Sequence, residues 1–411
     1  MRIVYIHQYY CNPQMAGGIR SYEQARRLVA RGHTVDVITT DITPGARELG
    51  WRVTEEDGVT VHWFRVPYNN NMSYARRLRA FAEFMVLAGA KAARLRADLV
   101  FATSTPLTVA VPGVLAAKLR RVPFVFEVRD LWPEVPIEMG ALRNPVARGL
   151  AGALANFAYR NAAEVVALSP GMAAGVTARR PGTPTTVIPN AADLDLFTVD
   201  QEQVRQFRAT HDWLGDRPLI VYTGALGAVN GVEYLVHAAH RMRRLDPDIR
   251  VLIVGHGKEW ESTKQLAAGY GLLGEVVHMW EKVPKSQLPV ILGAASMSSS
   301  FVRPIRGLWD NSANKFFDAL AASRPIAINY GGWQADLLRQ TGAGLVLTPE
   351  NTDVAAGQLV RHLRDEVWMR QAREAAHRLA VEQFSRDLLF ERFEEVLNRS
   401  VGHRPVLSEQ S

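Results

Sequence analysis

One cysteine in 411 residues, Cys11, has no partner in the chain, so an intrachain disulfide framework and a four-cysteine zinc site are both excluded. That scarcity suits a reducing compartment. Long apolar runs are missing too. The longest candidate, Leu107 to Ala117, falls short of the roughly 20 residues a bilayer span needs and is broken by Pro112 and Gly113. The opening Arg2-Ile3-Val4-Tyr5-Ile6 turns polar at His7-Gln8, too early for a signal peptide, and reads as a first strand. The expected location is the cytoplasm. The 11 histidines show no metal-ligand spacing, so no metal is expected.

Acids are in the minority, 41 Asp and Glu against 48 Lys and Arg, for a net charge of +7. Most of the excess lies between Arg65 and Arg96, where seven bases meet one acid, Glu83. No aromatic-basic ribonucleoprotein motif, zinc finger or helix-turn-helix accompanies them, so nucleic acid is not the expected partner. Tyr74, Leu78, Phe81, Met85 and Ala88 fall on one helical stripe, with Arg76, Arg79 and Glu83 facing away. One reading is a packed helix with a solvated basic face. The other is attachment to anionic membrane through Arg76, Arg77 and Arg79, on the inner face of the plasma membrane.

What is present is a globular composition, 47% apolar and 22% charged, in a chain long enough for more than one core. Short apolar runs alternate with helical patterns: Arg2–Ile6, Thr34–Thr39, Leu99–Phe101, Phe124–Phe126, Val165–Leu168 and Thr186–Ile188. Continuous apolar strands separated by helices indicate a parallel sheet covered on both faces. A polar stretch from Asn190 to Asp216 follows, and the pattern restarts with Leu219–Tyr222, Val251–Val254, Val276–His278 and Ile326–Asn329. The fold class expected is α/β, two doubly wound Rossmann-like domains with a ligand cleft between them.

The segment from Arg303 to Trp333 carries the chemistry. Asp310 and Asp318, eight residues apart, flank Asn311, Asn314 and Lys315, while Phe316, Phe317 and Leu320 form a buried helix face. Asn311 or Ser312 is expected to cap that helix. Its N-terminus, with Lys315 in the second turn, is a natural seat for a diphosphate. Eight helical residues separate the two carboxylates by about 12 Å, so they would grip different parts of one long ligand. Asp193-Leu194-Asp195 is formally a metal-binding D-x-D, but its place in the inter-domain linker favours a turn and cap.

Several of these motifs resemble, in order and spacing, those of retaining glycosyltransferases of family GT4, which share the GT-B fold. They are Asp310-x7-Asp318 with its sequel Ala319-Leu320-Ala321-Ala322-Ser323-Arg324-Pro325, the linker Val187-Ile188-Pro189-Asn190-Ala191-Ala192-Asp193-Leu194-Asp195-Leu196-Phe197, the loop Ala16-Gly17-Gly18, and the turn Gly255-His256-Gly257. Phe126-Glu127-Val128-Arg129-Asp130-Leu131-Trp132-Pro133-Glu134 and Asn314-Lys315-Phe316-Phe317-Asp318 are similar to the branch of bacterial fucosamine and other amino-sugar transferases of O-antigen and capsule assembly.

The resemblance implies a retaining, metal-independent transfer of a sugar from a UDP-sugar to a glycan or polyprenyl-diphosphate-linked acceptor, with no cofactor. Residues 1–195 would bind the acceptor and 196–384 the nucleotide sugar. Residues 385–400 would form a helix packing back on the first domain, and 401–411 a flexible tail. Asp310, Lys315 and Asp130 are the catalytic candidates. Gly17, Gly18, Gly224, Asn230, Gly255, His256, Arg303, Arg306, Asn311, Asn314, Lys315 and Asp318 would bind the donor; Arg129, Asp130 and Glu134 would bind the acceptor. Three departures stand out. Both family glutamates are aspartates. The Arg and Lys that clamp the diphosphate in many relatives are replaced by Ala225 and Asn230. Arg129-Asp130 stands where many relatives have His-Asp, and a structural ion pair between the two is the competing reading. A nucleotide-sugar 2-epimerase of the same fold and a catalytically silent sugar-nucleotide or glycan binder are the alternative functions.

Overall fold

The computed structural model describes residues 1–15, 17–41, 50–66, 72 and 74–402. Ala16 of the glycine loop, part of the basic segment and the tail from 403 lie outside the described residues. The chain forms two compact units: residues 1–12, 18–189 and from 390 onward make the first, and residues 13–17 and 190–389 the second.

Unit 1 is built on eight strands: β1 (Arg2–Ile6), β2 (Thr34–Asp41), β3 (Trp51–Glu56), β4 (Val59–Arg65), β5 (Leu99–Thr103), β6 (Phe124–Val128), β7 (Glu164–Ala167) and β8 (Thr185–Val187). Their order is β3-β4-β2-β1-β5-β6-β7-β8, parallel except for β3. In β5, β6 and β7 every residue is buried, the mark of strands covered on both faces. On one face, Phe84 and Ala88 of the helix Tyr74–Arg94, Val114 and Ala117 of Ala110–Arg120, and Ala155 and Ala158 of Pro145–Asn161 pack with Val4, Val100 and Phe126. Within the last helix, Arg386–Gly402, Phe393 meets Phe101 edge to face, with centroids 5.0 Å apart.

The apolar stripe expected on the helix Tyr74–Arg94 is displaced. Ala80, Phe84, Ala88 and Ala92 form its buried face, while Leu78 is 47% and Val86 65% exposed. The four buried positions recur every four residues, and the small alanines allow close approach to the helix Ala110–Arg120. Arg76 and Arg79 are exposed and Arg77 half-buried.

Unit 2 has six parallel strands, β9 (Leu219–Thr223), β10 (Arg250–Val254), β11 (Val277–Trp280), β12 (Met297–Ser300), β13 (Ile326–Ile328) and β14 (Gly344–Val346), in the order β11-β10-β9-β12-β13-β14. The Asn190–Asp216 stretch contains the helices Leu194–Phe197 and Gln201–Ala209, the second capped by the Asp200 carboxylate. Asp193 stands at the start of the first but makes no side-chain cap. Its carboxylate pairs instead with Arg386, 3.0 Å away, because that guanidinium offers charge as well as hydrogen bonds. No described helix is long and apolar enough to cross a membrane.

Candidate functional site

In unit 2 the strand order reverses between β9 and β12, so loops leaving the carboxyl ends of these neighbours open a crevice where ligands bind in doubly wound sheets. The loop after β9 begins at Gly224, whose φ of +133° few other residues adopt. The loop after β10 is pressed against it. A Cβ on Gly255 would stand 1.8 Å from the Gly224 carbonyl oxygen, and one on Gly257 2.2 Å from that of Leu226. Hydrogen bonds from Gly224 N to Val254 O (2.9 Å) and Leu226 N to His256 O (3.1 Å) lock the two loops. The Gly-x-Gly turn is therefore explained by backbone packing around the crevice. Asn230 closes the turn 227–230, its Oδ1 accepting from Gly227 N at 3.3 Å.

The helix Asn314–Ala321 starts in the same region. The expected cap from Asn311 or Ser312 is absent. Asn311 Oδ1 instead accepts from Ala313 N at 3.1 Å, closing its own turn, and Ser312 Oγ accepts from Asn190 N at 3.0 Å. Asn190 also donates to Ser312 O at 2.5 Å, so the linker motif holds the loop that launches this helix. Without a side-chain cap, the first-turn amides remain available to an anion. Asp310 is half-buried in the preceding turn, and Asn314 opens the helix.

Lys315 is the electrostatic centre of the group. Its side chain is buried, its Nζ donates to Tyr222 Oη at 2.7 Å, and it lies 4.1 Å from that ring's centroid. It reaches toward Gly224: a Cβ there would be 3.1 Å from Lys315 Cε and 3.2 Å from Nζ. No carboxylate among the described residues pairs with it. Asp318 acts on it through space, but that carboxylate is bound to Lys285 at 2.5 Å. Burial pushes the Lys315 ammonium down to about 7. The other candidates around the crevice are engaged. Arg303 pairs with Glu259 at 2.5 Å, Arg306 stacks over Trp309 at 4.8 Å, and exposed His256 contacts Glu281 at 2.9 Å.

Unit 1 has a second polar cluster, at the carboxyl ends of β1, β5 and β6. Arg129 N donates to Ser104 Oγ at 3.0 Å, and the Arg129 guanidinium donates toward His7 Nε2 at 3.5 Å. With Nε2 accepting, His7 carries its proton on Nδ1 and donates to Ser21 Oγ (2.9 Å). Ser21 then donates to Tyr5 Oη (3.0 Å), and Tyr5 to Gln24 Oε1 (2.7 Å). Burial, helped by Arg129, keeps His7 neutral, well below its ordinary pKa. No ion pair joins Arg129 to Asp130, so the structural-bridge reading of that dipeptide finds no support. Asp130 is exposed in area yet surrounded by protein, and this desolvation pushes its carboxyl up to about 6 against the opposing pull of Arg129. Glu134 is not with them; it pairs with Arg179. Gly17 is exposed and Gly18 half-buried, just before the helix Arg20–Ala30.

Sequence reasoning missed His7, Ser104, Tyr222 and Lys285, and also the buried pair Arg20–Glu127 at 2.7 Å. Burial opposes the Glu127 charge, yet Arg20 and a hydrogen bond from Thr103 hold its carboxyl below the usual range. Arg20 also donates to Pro189 O at 2.6 Å, tying the first helix to the end of unit 1. A polar residue ending an apolar strand, as His7 and Ser104 do, is the signal that was available.

Residues 17–191 match the profile of the "glycosyl transferase 4-like domain", and residues 217–365 that of "glycosyl transferases group 1". A GDP-mannose-dependent alpha-(1-6)-phosphatidylinositol monomannoside mannosyltransferase of Mycolicibacterium smegmatis is 28% identical over 174 residues, 41% of this chain and 44% of its own. An alpha-D-kanosaminyltransferase of Streptomyces kanamyceticus is 26% identical over 164 residues, 40% and 41% of the two chains. The matches thus span less than half the length of either relative. Among solved structures, sucrose-phosphate synthase of Thermosynechococcus elongatus superposes with a TM-score of 0.77 at 18% identity, over 97% of this chain and 98% of the other. Anabaena HepE, solved with UDP and glucose, gives 0.72 at 18% identity, over 97% and 100%. The fold is GT-B.

Proposed function

Because the chain belongs to the glycosyltransferases, on two successive family profiles that together span most of it, we propose that it is a retaining transferase using a UDP-linked amino or deoxy-amino sugar, held by unit 2. The acceptor is a glycan or a polyprenyl-diphosphate-linked glycan, bound by unit 1, in the building of a cell-surface polysaccharide. One observation carries the donor reading: Lys315, a buried ammonium without a paired carboxylate, stands in the first turn of an uncapped helix and faces a glycine that leaves room beside it. A diphosphate supplies the missing counter-charge.

The chemistry follows from that charge. As the bond between sugar and phosphate breaks, negative charge grows on the departing phosphate, where Lys315 and the helix amides offset it. The same phosphate takes the proton of the acceptor hydroxyl on the sugar's front face, which retains configuration. Asp310 orients donor-sugar hydroxyls. Asp130 holds the acceptor hydroxyl, and Arg129, steadied by neutral His7, meets acceptor phosphate. No step is assigned to a metal or cofactor. HepE, solved with UDP, supports uracil, and the kanosaminyltransferase supports an amino sugar. The GDP-mannose-dependent relative makes a guanine nucleotide the competing outcome.

The acceptor's lipid fits a further feature of unit 1. The contacting helices Tyr74–Arg94, Ala110–Arg120 and Pro145–Asn161 carry nine Lys and Arg and one acid, Glu83. They also expose Leu78, Val86, Leu115, Leu119, Val146 and Leu150. Basic residues near an anionic surface contribute about 1 kcal/mol each. Vesicles containing phosphatidylglycerol should pull the protein down, and replacing Arg76, Arg77 and Arg79 by Ala should release it. Unchanged pelleting would remove the membrane from this account. The donor reading is tested by thermal stabilisation against nucleotides. Ligand at 100 times its Kd adds about 2.7 kcal/mol, so UDP and one UDP-sugar should raise the Tm selectively. A protein indifferent to every nucleotide would instead favour the catalytically silent glycan binder.

A further inference from the structure

We propose that unit 2 has a second anion site, separate from the donor crevice, that takes a small phosphate-bearing molecule. It lies at the opposite end of the helix Asn314–Ala321 from the uncapped first turn. A cavity of about 320 Å³ there is bounded by Phe197, Gly293, Ser323, Arg324, Arg373 and His377, among others, and no carboxylate lines it.

Two guanidiniums enter this cavity and a third, from Arg208, acts on Arg324 from nearby. Two of the three have structural duties. Arg324 donates through Nη2 to Gly293 O at 2.6 Å, and Arg208 to Ala294 O at 2.5 Å, so both satisfy carbonyls at the end of the helix Leu288–Ala294. Those duties leave donors unspent. Arg324 Nε is buried with no acceptor, and no carboxylate among the described residues pairs with Arg373. Ser323, in the left-handed region at φ +53°, meets His377 Nδ1 through its hydroxyl at 3.2 Å, adding polar groups to the same wall.

Physical chemistry makes this arrangement unfavourable when empty. Arginine stays charged at any ordinary pH, so Arg324 and Arg373 repel in a partly desolvated cavity, and the nearby Asp216 carboxylate acts on Arg208. Burial, followed by Arg373 and Arg208, lowers Arg324 to about 10, in keeping with that repulsion. A phosphate group reverses the balance, because its oxygens accept the forked N–H pairs of a guanidinium and neutralise the cluster. The cavity is roomier than one phosphate needs, and Phe197 and Val204 give it apolar wall. A phosphate ester or diphosphate therefore fits better than a bare halide.

This site is independent of the donor crevice, and pyrophosphate titrations by calorimetry separate the two. The wild type should show two binding events. Arg373→Ala, at an exposed position, should weaken one at least tenfold with the Tm unchanged, and Arg324→Lys should weaken the same one. Lys315→Ala should abolish only the other. If Arg373→Ala leaves every event unchanged, or if no pyrophosphate binds to Lys315→Ala, the second site is refuted. Loss at Arg373→Ala with none at Lys315→Ala would instead support this site and overturn the donor reading.

Discussion

Replacing Lys315 by Met should make the empty protein more stable and a worse enzyme. The side chains are similar in length, so the change removes a charge from the crevice and little volume. Burial lowers the Lys315 pKa from its ordinary 10.5 to about 7. At about 1.4 kcal/mol per unit, holding the ammonium in the folded state costs at most about 5 kcal/mol below pH 7. The sign follows from proton counting. Between pH 7 and 10.5 the unfolded chain holds this proton and the folded chain does not, so wild-type stability rises with pH across that window. The cost is complete below pH 7 and vanishes above pH 10.5. Urea denaturation at pH 6 and pH 9 should therefore show a gain for Lys315→Met that is larger at pH 6. Tyr222 Oη keeps its bond to Ala225 O at 2.8 Å, so no buried donor is orphaned. UDP affinity should fall by about 2–3 kcal/mol, the worth of a hydrogen bond to a charged group, or roughly 30- to 150-fold. A variant that is less stable at pH 6 yet binds UDP as before would refute the reasoning on both counts.

Four further outcomes follow. UDP should draw a proton onto Lys315, so calorimetry at pH 8 in buffers of different ionisation enthalpy should report net proton uptake, lost in Lys315→Met. If Asp130 works as a carboxylate, kcat/KM should rise with pH through about 6, and Asp130→Asn should flatten that limb. Gly255→Ala should destabilise unit 2 by about 1–3 kcal/mol in urea, since its Cβ would meet the Gly224 oxygen at 1.8 Å. Glu127→Gln should cost about 3–5 kcal/mol, because it leaves the Arg20 charge buried and unpaired.

The fold was largely legible because its central strands are buried on both faces and read as continuous apolar runs. Three pieces were not. β12 is Met297-Ser298-Ser299-Ser300, fully buried but polar in composition; Ser299 settles its hydroxyl on Val221 O at 3.1 Å. β3 and β4 meet at Asp57-Gly58, with φ of +47° and +78°, a hairpin signal masked by the charges of Arg52, Glu55 and Glu56. β14 is three residues long and starts on a glycine. The helix pattern singled out Lys315 and the family resemblance pointed to Gly224; the fold brings the two together. It could not reveal that Asp318 is occupied by Lys285, since those residues are 33 positions apart and join only through packing. The family pattern pointed to Arg129-Asp130, but His7 and Ser104 come from strands paired far apart in sequence.

The most direct test of the central claim is nucleotide release. Wild-type protein and Lys315→Ala would be incubated with a panel of UDP- and GDP-sugars and a polyprenyl-diphosphate-linked acceptor, and free nucleoside diphosphate followed by chromatography. The account predicts UDP from one amino-sugar donor, dependent on acceptor, and a rate at least 100-fold lower in Lys315→Ala. No nucleotide released from any donor, or equal rates from the two proteins, would contradict it.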